Sequence, residues 1–468
     1  MDDLFDHHDA TGLAAAIAGG DVTAGEVLDH TLTRIAQRDG AVEAVAEVCR
    51  EIRPAQDGPL AGVPFVVKDL GIDVAGMRST NGSRLFADRV ATVDSELVTR
   101  YRRAGLVVVA TTKVPELGRN ASTEPQLYGP ARNPHRLTHS PGGSSGGTAA
   151  AVAVGMVPLG HGNDGGGSIR IPASMCGLVG LKPTRGRTPA FPKRTALSYP
   201  LGINHVLTRS VRDAALLLDL TAGPMPGDPV VTPPPTRPYV DEVGAPTGRL
   251  RIALATARPD GGPVHPDCVA AAEDAGRLLE SLGHDVEKAD PRWPTDELRT
   301  AMTVLMSVPM AVDVDARLAE LGRPLADDDL EPMTRLIYES GKGLTATDVV
   351  VALQAVERAA HELGAFHETY DLLLSPTISQ PVPPLGTLDT TRPVTMMEHG
   401  AAFSAFTGFA NTTGQPAISL PLATDSTGMP IGVQLVAAFG REDLLLRVAA
   451  QVEAAAPWSI TPVWPART

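Results

Sequence analysis

Cysteine is nearly missing from this chain of 468 residues: Cys49, Cys176 and Cys268 stand far apart, and no two share CxxC spacing. That excludes a disulfide framework, argues against a structural zinc site and suits a reducing compartment, so a cytoplasmic location is expected. Aromatic residues are scarce too, at 4%, which leaves the core to Ala, Val, Leu and Ile. Positive charge is in deficit. The formal net charge is −14, which repels a phosphate backbone, and no basic stripe or cluster of stacking aromatics offsets it; no nucleic-acid partner is expected. No apolar run is long enough to cross a bilayer, because the longest, residues 149–159, contains Gly155 and Pro158. The opening MDDLFDHHDA is acidic and lacks the basic-then-apolar pattern of a secretory signal. A soluble protein without membrane partners is the expectation.

What the chain has in quantity is glycine and proline, 46 and 41 residues, so many loops surround a core built from 43% hydrophobic residues. Thr23 and Glu26 have capping-box spacing, and Val27, Leu28, Thr31, Leu32 and Ile35 recur at helical intervals, predicting a helix over 24–38. Residues 63–67 read as a buried strand ending at Lys68-Asp69. A helix carrying Leu97, Val98 and Tyr101 stops at Gly105, and a second buried strand follows at 106–109. Residues 119–147 read as loop and 149–154 as a buried helix. Strands at 250–255, 284–286, 418–420 and 432–436, and helices at 266–282 and 442–455, continue the alternation. Short, uniformly apolar strands between helices imply an α/β fold whose sheet is covered on both faces. The proline-rich 229–246 reads as a surface crossover within one domain spanning 1–468.

The unusual stretch is GHGNDGGGSIR, residues 160–170, with five glycines ahead of Ser168. Each glycine costs about 0.5–1 kcal/mol against alanine in regular structure, so the concentration needs a reason. Gly160-x-Gly162-x-x-Gly165 matches a dinucleotide fingerprint, but Pro172 breaks any early helix and no acid follows before Asp213. Gly142-x-Ser144-x-Gly146 matches a nucleophile elbow, which would make an α/β-hydrolase-type esterase. The preceding Ser140-Pro141 is a poor strand, and only His367 or His399 offers a distant histidine.

A third reading joins Ser168, Ser144 and Lys68. Successive glycine N–H groups form a nest for a developing oxyanion, worth about 3–4 kcal/mol per well-aimed donor. The base is then His161, in the glycine-rich turn, or Lys68 at its strand end. A lysine base must see its pKa fall by roughly 3 from about 10.4, about 4 kcal/mol, which burial beside an apolar strand supplies.

The order of motifs resembles the amidase signature family. Gly62-Val63-Pro64-Phe65-Val66-Val67-Lys68-Asp69 is followed by Gly142-Gly143-Ser144-Ser145-Gly146-Gly147, and Asp164-Gly165-Gly166-Gly167-Ser168-Ile169-Arg170 begins 20 residues after Ser144. The likeness continues through residues 177–184, 414–421 and 428–434, from about residue 10 to 455. It implies a mixed β-sheet core flanked by helices on both sides. It also implies Ser168 as nucleophile, Ser144 as a bridging serine on a cis peptide, Lys68 as base, and the N–H groups of Gly165, Gly166, Gly167 and Ser168 as oxyanion hole. Gly118, Arg119 and Asn120 match the stretch lining the acyl pocket. Asp164, Arg170 and Ser145 are expected to hold loops, and Cys176 to sit in the core. The implied reaction is hydrolysis of amide C–N bonds through an acyl-enzyme, with no metal or organic cofactor, by a monomer or homodimer acting on a small amide or carbamate.

Two departures narrow the subtype. Most relatives carry threonine or a similar residue where Gly165 stands. The glutamyl-tRNA amidotransferase subunit usually has glutamine where Ile171 stands, so an amidotransferase-like subunit that needs a partner is the alternative. Residues 161–174 (HGNDGGGSIRIPAS) and 428–451 resemble nylon-oligomer hydrolases of the 6-aminohexanoate cyclic dimer type, with aryl-acylamidases and urethane-cleaving amidases similar.

Overall fold

A computed structural model describes residues 1–464 except 51, 53, 194–197 and 293. Its centre is a mixed sheet of eleven strands: β1 (Val45–Val48), β2 (Pro64–Lys68), β3 (Val107–Thr112), β4 (Leu159–Asp164), β5 (Val179–Lys182), β6 (Ile203–Thr208), β7 (Arg251–Leu254), β8 (Asp285–Lys288), β9 (Leu372–Pro376), β10 (Ala417–Thr424) and β11 (Pro430–Ala437). The spatial order is β1-β3-β2-β4-β6-β5-β10-β11-β9-β7-β8. β2 runs parallel to β3 and β4, and β7 parallel to β8 and β9. The antiparallel hairpin β10–β11 lies between β5 and β9 and joins the two halves.

Side-chain alternation places apolar residues on both faces. In β2, Phe65 and Val67 pack with Leu97, Val98 and Tyr101, while Val66 points the other way, toward the helix Gly146–Ala153. In β9, Leu372 and Leu374 join the helices Pro266–Ser281 and Glu442–Ala455, and Leu373 faces Leu363 and Phe409. The expectation of a sheet covered on both sides therefore holds.

Local expectations hold with small changes of boundary. The first long helix runs Ala24–Val42, with both halves of the Thr23–Glu26 capping box formed. Gly105 ends the next helix at φ +93, a conformation open to glycine. Residues 229–246 are mostly exposed coil with one short turn at Tyr239–Glu242, and they link β6 to β7 of the same sheet by way of the helix Val211–Thr221.

Two expectations fail. Residues 159–164 are not a glycine turn but strand β4, so Gly160 and Gly162 of the dinucleotide-like match sit in a strand instead of a strand-to-helix turn. Their missing side chains allow close approach: a Cβ at Gly160 would lie 2.6 Å from Val66 and 2.7 Å from Thr148. Nor does Pro172 prevent a helix after Ser168. It sits in the first turn of Arg170–Cys176, where helix N–H groups have no intrahelical acceptor to lose. Among the described residues no helix is long and apolar enough to cross a membrane.

Candidate active site

Lys68 is the last residue of β2, and Asn163 lies near the end of the parallel neighbour β4. The register pairs Phe65 with Leu159 and Val66 with Gly160, so two residues further on Lys68 comes level with Gly162, next to Asn163. The carboxyl ends of parallel strands are where open α/β sheets place their ligand sites.

Lys68 is fully buried. Its Nζ stands 2.7 Å from Ser144 Oγ, 2.6 Å from Asn163 Oδ1 and 3.4 Å from the Asn163 carbonyl. Burial holds its pKa well below the usual lysine range, and the Asp164 carboxylate opposes that pull. Asn163 is itself fixed, its Nδ2 donating to the Leu70 carbonyl at 2.7 Å. Ser144 follows a cis Gly143–Ser144 peptide at the start of the helix Gly146–Ala153.

The loop from β4 to Ser168 is wound round Asp164. That carboxylate accepts from the N–H groups of Gly167 at 2.7 Å and Ile169 at 3.1 Å. Arg170 meets it with two parallel bonds, Nε to Oδ2 at 3.0 Å and Nη2 to Oδ1 at 2.9 Å. The other Arg170 donors reach the Thr407 carbonyl, Gln434 Oε1 and Asn411 Oδ1. The pair is entirely buried, and Arg170 drives the Asp164 pKa down against the opposing effect of burial. Gly167 adopts φ +130, and a side chain there would run into Thr407 Oγ1, which donates to the Gly166 carbonyl at 2.6 Å. The Ser145 N–H donates to the Ser168 carbonyl at 3.2 Å, which ties the two serine loops together.

This winding corrects one expectation. The Gly167 N–H is taken by Asp164, so of the four groups named for an oxyanion hole only those of Gly165, Gly166 and Ser168 remain. Gly165, Gly166 and Ser168 all line a cavity of about 840 Å³, together with Ser144 and Asn163.

The other singled-out residues divide. Gly118 and Arg119 border the same cavity, and a Cβ on Gly118 would come 3.3 Å from Ser144 Oγ. Asn120 borders it too, but its amide is spent on the Leu388 carbonyl at 2.6 Å. His161 is no base for Ser168. It is buried inside β4 against Asn204 Oδ1 at 3.2 Å, and burial lowers its pKa to about 3. His367 bonds the Tyr370 carbonyl and His399 is exposed, so the elbow reading finds no histidine at Ser144. Cys176 is buried, its thiol pushed up by burial.

Sequence reasoning missed Asn163, Tyr199 and a methionine wall. Met302, Met306, Met310, Met333, Met396 and Met397 all line the cavity. The first three recur every four residues on the helix Thr295–Leu321, a legible signal. Tyr199 has no such signal, yet its hydroxyl would stand 2.7 Å from a Cβ at Gly165. It occupies the space that a side chain on the glycine would need.

Comparison with known proteins shows which family the chain is similar to. The amidase family matches residues 32–446. A 6-aminohexanoate-cyclic-dimer hydrolase of Paenarthrobacter ureafaciens is 39% identical, over 96% of this chain and 95% of its own. The solved structure of a 6-aminohexanoate cyclic dimer hydrolase complexed with substrate superposes with a TM-score of 0.92 at 36% identity, covering 98% of this chain and 99% of the other. A bacterial aryl acylamidase of the amidase signature enzymes superposes with a TM-score of 0.88 at 25% identity, covering 98% and 99%. The chain is an amidase, a member of the amidase signature family.

Proposed function

We propose that the protein hydrolyses small amides, nylon-type oligomers and carbamates among them, by a Ser168–Ser144–Lys68 relay. The contact between buried Lys68 Nζ and Ser144 Oγ, 2.7 Å, carries this reading. A neutral amine has two N–H donors and one lone pair. Two of its three partners here, both oxygens of Asn163, can only accept. The lone pair is therefore left to Ser144, whose hydroxyl donates to it.

The chemistry follows in two halves. Ser168 Oγ attacks the substrate carbonyl carbon, its proton passes to Ser144 Oγ, and the Ser144 proton passes to Lys68. The carbonyl oxygen, now an oxyanion, is held by the N–H groups of Gly165, Gly166 and Ser168. When the C–N bond breaks, the departing amine takes the proton back through Ser144 and an acyl-Ser168 ester remains. Water then attacks the ester, activated by the same relay, and releases the acid. A carbamate presents the same carbonyl to Ser168. The methionine wall is unbranched and adaptable, which suits aliphatic and aryl acyl groups of varied shape.

Purified protein with no second polypeptide is expected to release para-nitroaniline from simple anilides. Ser168→Ala is expected to abolish turnover and labelling by a fluorophosphonate, and Ser144→Ala and Lys68→Ala to cut the rate severely while the fold persists. Labelling that survives Ser168→Ala but vanishes in Ser144→Ala would refute the assignment. A requirement for a partner protein would favour an amidotransferase-like subunit.

A further inference from the structure

Among the described residues, the cavity wall carries several cations, and all but one have carboxylate partners. Arg89 and Lys193 share Asp73, at 3.1 and 2.9 Å, and Arg317 pairs with Asp88 and Glu320. Arg119 is the exception, forming no ion pair among the described residues. One of its five guanidinium N–H groups is engaged, Nη2 donating to the Met306 carbonyl at 2.8 Å. Its Nε is shut off from solvent, so the Nη groups are the ones a ligand can meet. Arg119 follows Gly118, which lies against Ser144, and it borders the same cavity as Ser144 and Ser168.

Resting on the reading of Ser168 as nucleophile, we propose that Arg119 is a carboxylate subsite: the preferred substrates are amides bearing a free carboxylate on the part held in this cavity. The Nη edge of the planar guanidinium donates to a carboxylate through charge-assisted bonds and neutralises its charge. A neutral carbonyl satisfies one donor and leaves the charge unmatched. A cyclic amide with no ionised end lacks the complementary group, so linear acids outrank it.

Matched substrate pairs test this on either side of the scissile bond. On the acyl side, the mono-para-nitroanilides of succinic, glutaric and adipic acid are set against neutral straight-chain anilides of equal length. On the amine side, hexanoyl-aminohexanoate is set against hexanoyl-hexylamine. The acidic member of at least one pair is expected to show kcat/KM about 10- to 100-fold higher, the range of a charge-assisted bond. Arg119→Met is expected to bring that ratio to near one, and Arg119→Lys, which keeps the charge but not the planar edge, to leave part of it. The lysine variant also serves if the methionine variant does not fold. Absence of a preference on both sides, or a preference that survives Arg119→Met, overturns the inference and leaves the relay standing. No turnover of any pair, with no labelling of Ser168, overturns both.

Discussion

Replacing Asn163 by aspartate places a carboxylate where an amide oxygen now stands, 2.6 Å from Lys68 Nζ. With an effective dielectric constant of about 20, a unit charge at that distance favours the ammonium form by about 6 kcal/mol. Desolvating the new carboxylate takes back several kcal/mol, leaving about 2–3 kcal/mol in favour of protonated Lys68. Burial lowers the pKa of Lys68 in the native protein, so the active amine prevails above that lowered value and kcat/KM rises with pH. In Asn163→Asp the rise is expected to move about two pH units upward, cutting kcat/KM about 100-fold at a pH below both inflections and much less at high pH. A pH series of anilide hydrolysis reads this directly. Asn163→Ala is the control, expected to lower the rate without an upward move. The same experiment separates Lys68 from Lys182, a second buried amine whose pKa burial and Arg170 lower to about 7, but which bonds the Pro183 carbonyl. An Asn163→Asp profile that keeps the native inflection and merely has a lower plateau would refute the assignment of Lys68 as base.

Other perturbations have definite signs. Between its depressed folded pKa and the ordinary lysine value, Lys68 binds fewer protons folded than unfolded, so its contribution to stability grows with pH across that window. The stability of the native protein relative to Lys68→Met is therefore expected to improve by up to about 1.4 kcal/mol per pH unit, read as urea midpoints from pH 6.5 to 9.5; a constant difference would refute it. Arg170→Met leaves the Asp164 carboxylate buried without its cation, at a cost of about 3–5 kcal/mol. Urea unfolding and loss of fluorophosphonate labelling check it. Gly165→Ala drives a methyl against the Tyr199 hydroxyl and is expected to lower kcat/KM about tenfold. Adding Tyr199→Phe should restore part of that loss, and two independent, multiplicative losses would deny the contact.

The parts of the molecule legible in sequence were those where one physical signal dominates. Val63 to Lys68 is apolar on both faces of a buried strand, and Thr23 with Glu26 satisfies two orphan N–H groups, so both elements stand where periodicity and capping place them. Strand β4 was illegible because glycine, asparagine and aspartate all disfavour strands. It forms because β2 and β6 flank it and the helix Gly146–Ala153 needs its bare backbone. The serine-lysine pair was readable as chemistry, but only coordinates reveal that Asn163 completes the lysine's coordination or that Asp164 consumes the Gly167 N–H. The helices beyond residue 287 were legible in principle: Thr345 and Asp348 form a second capping box, and Met302, Met306 and Met310 mark a helical face.

The hairpin of β10 and β11 is made last of all the strands, yet it occupies the middle of the sheet. Without it, β9, β7 and β8 have no strand to join them to β2, which ends in Lys68, or to β4, which leads into the Ser168 loop. Thr407, Asn411 and Gln434, which clamp the Gly166 carbonyl, Asp164 and Arg170, are likewise synthesised late. A chain truncated before residue 407 thus carries every proposed catalytic side chain but none of the three residues that brace them, and is expected to show no amide hydrolysis.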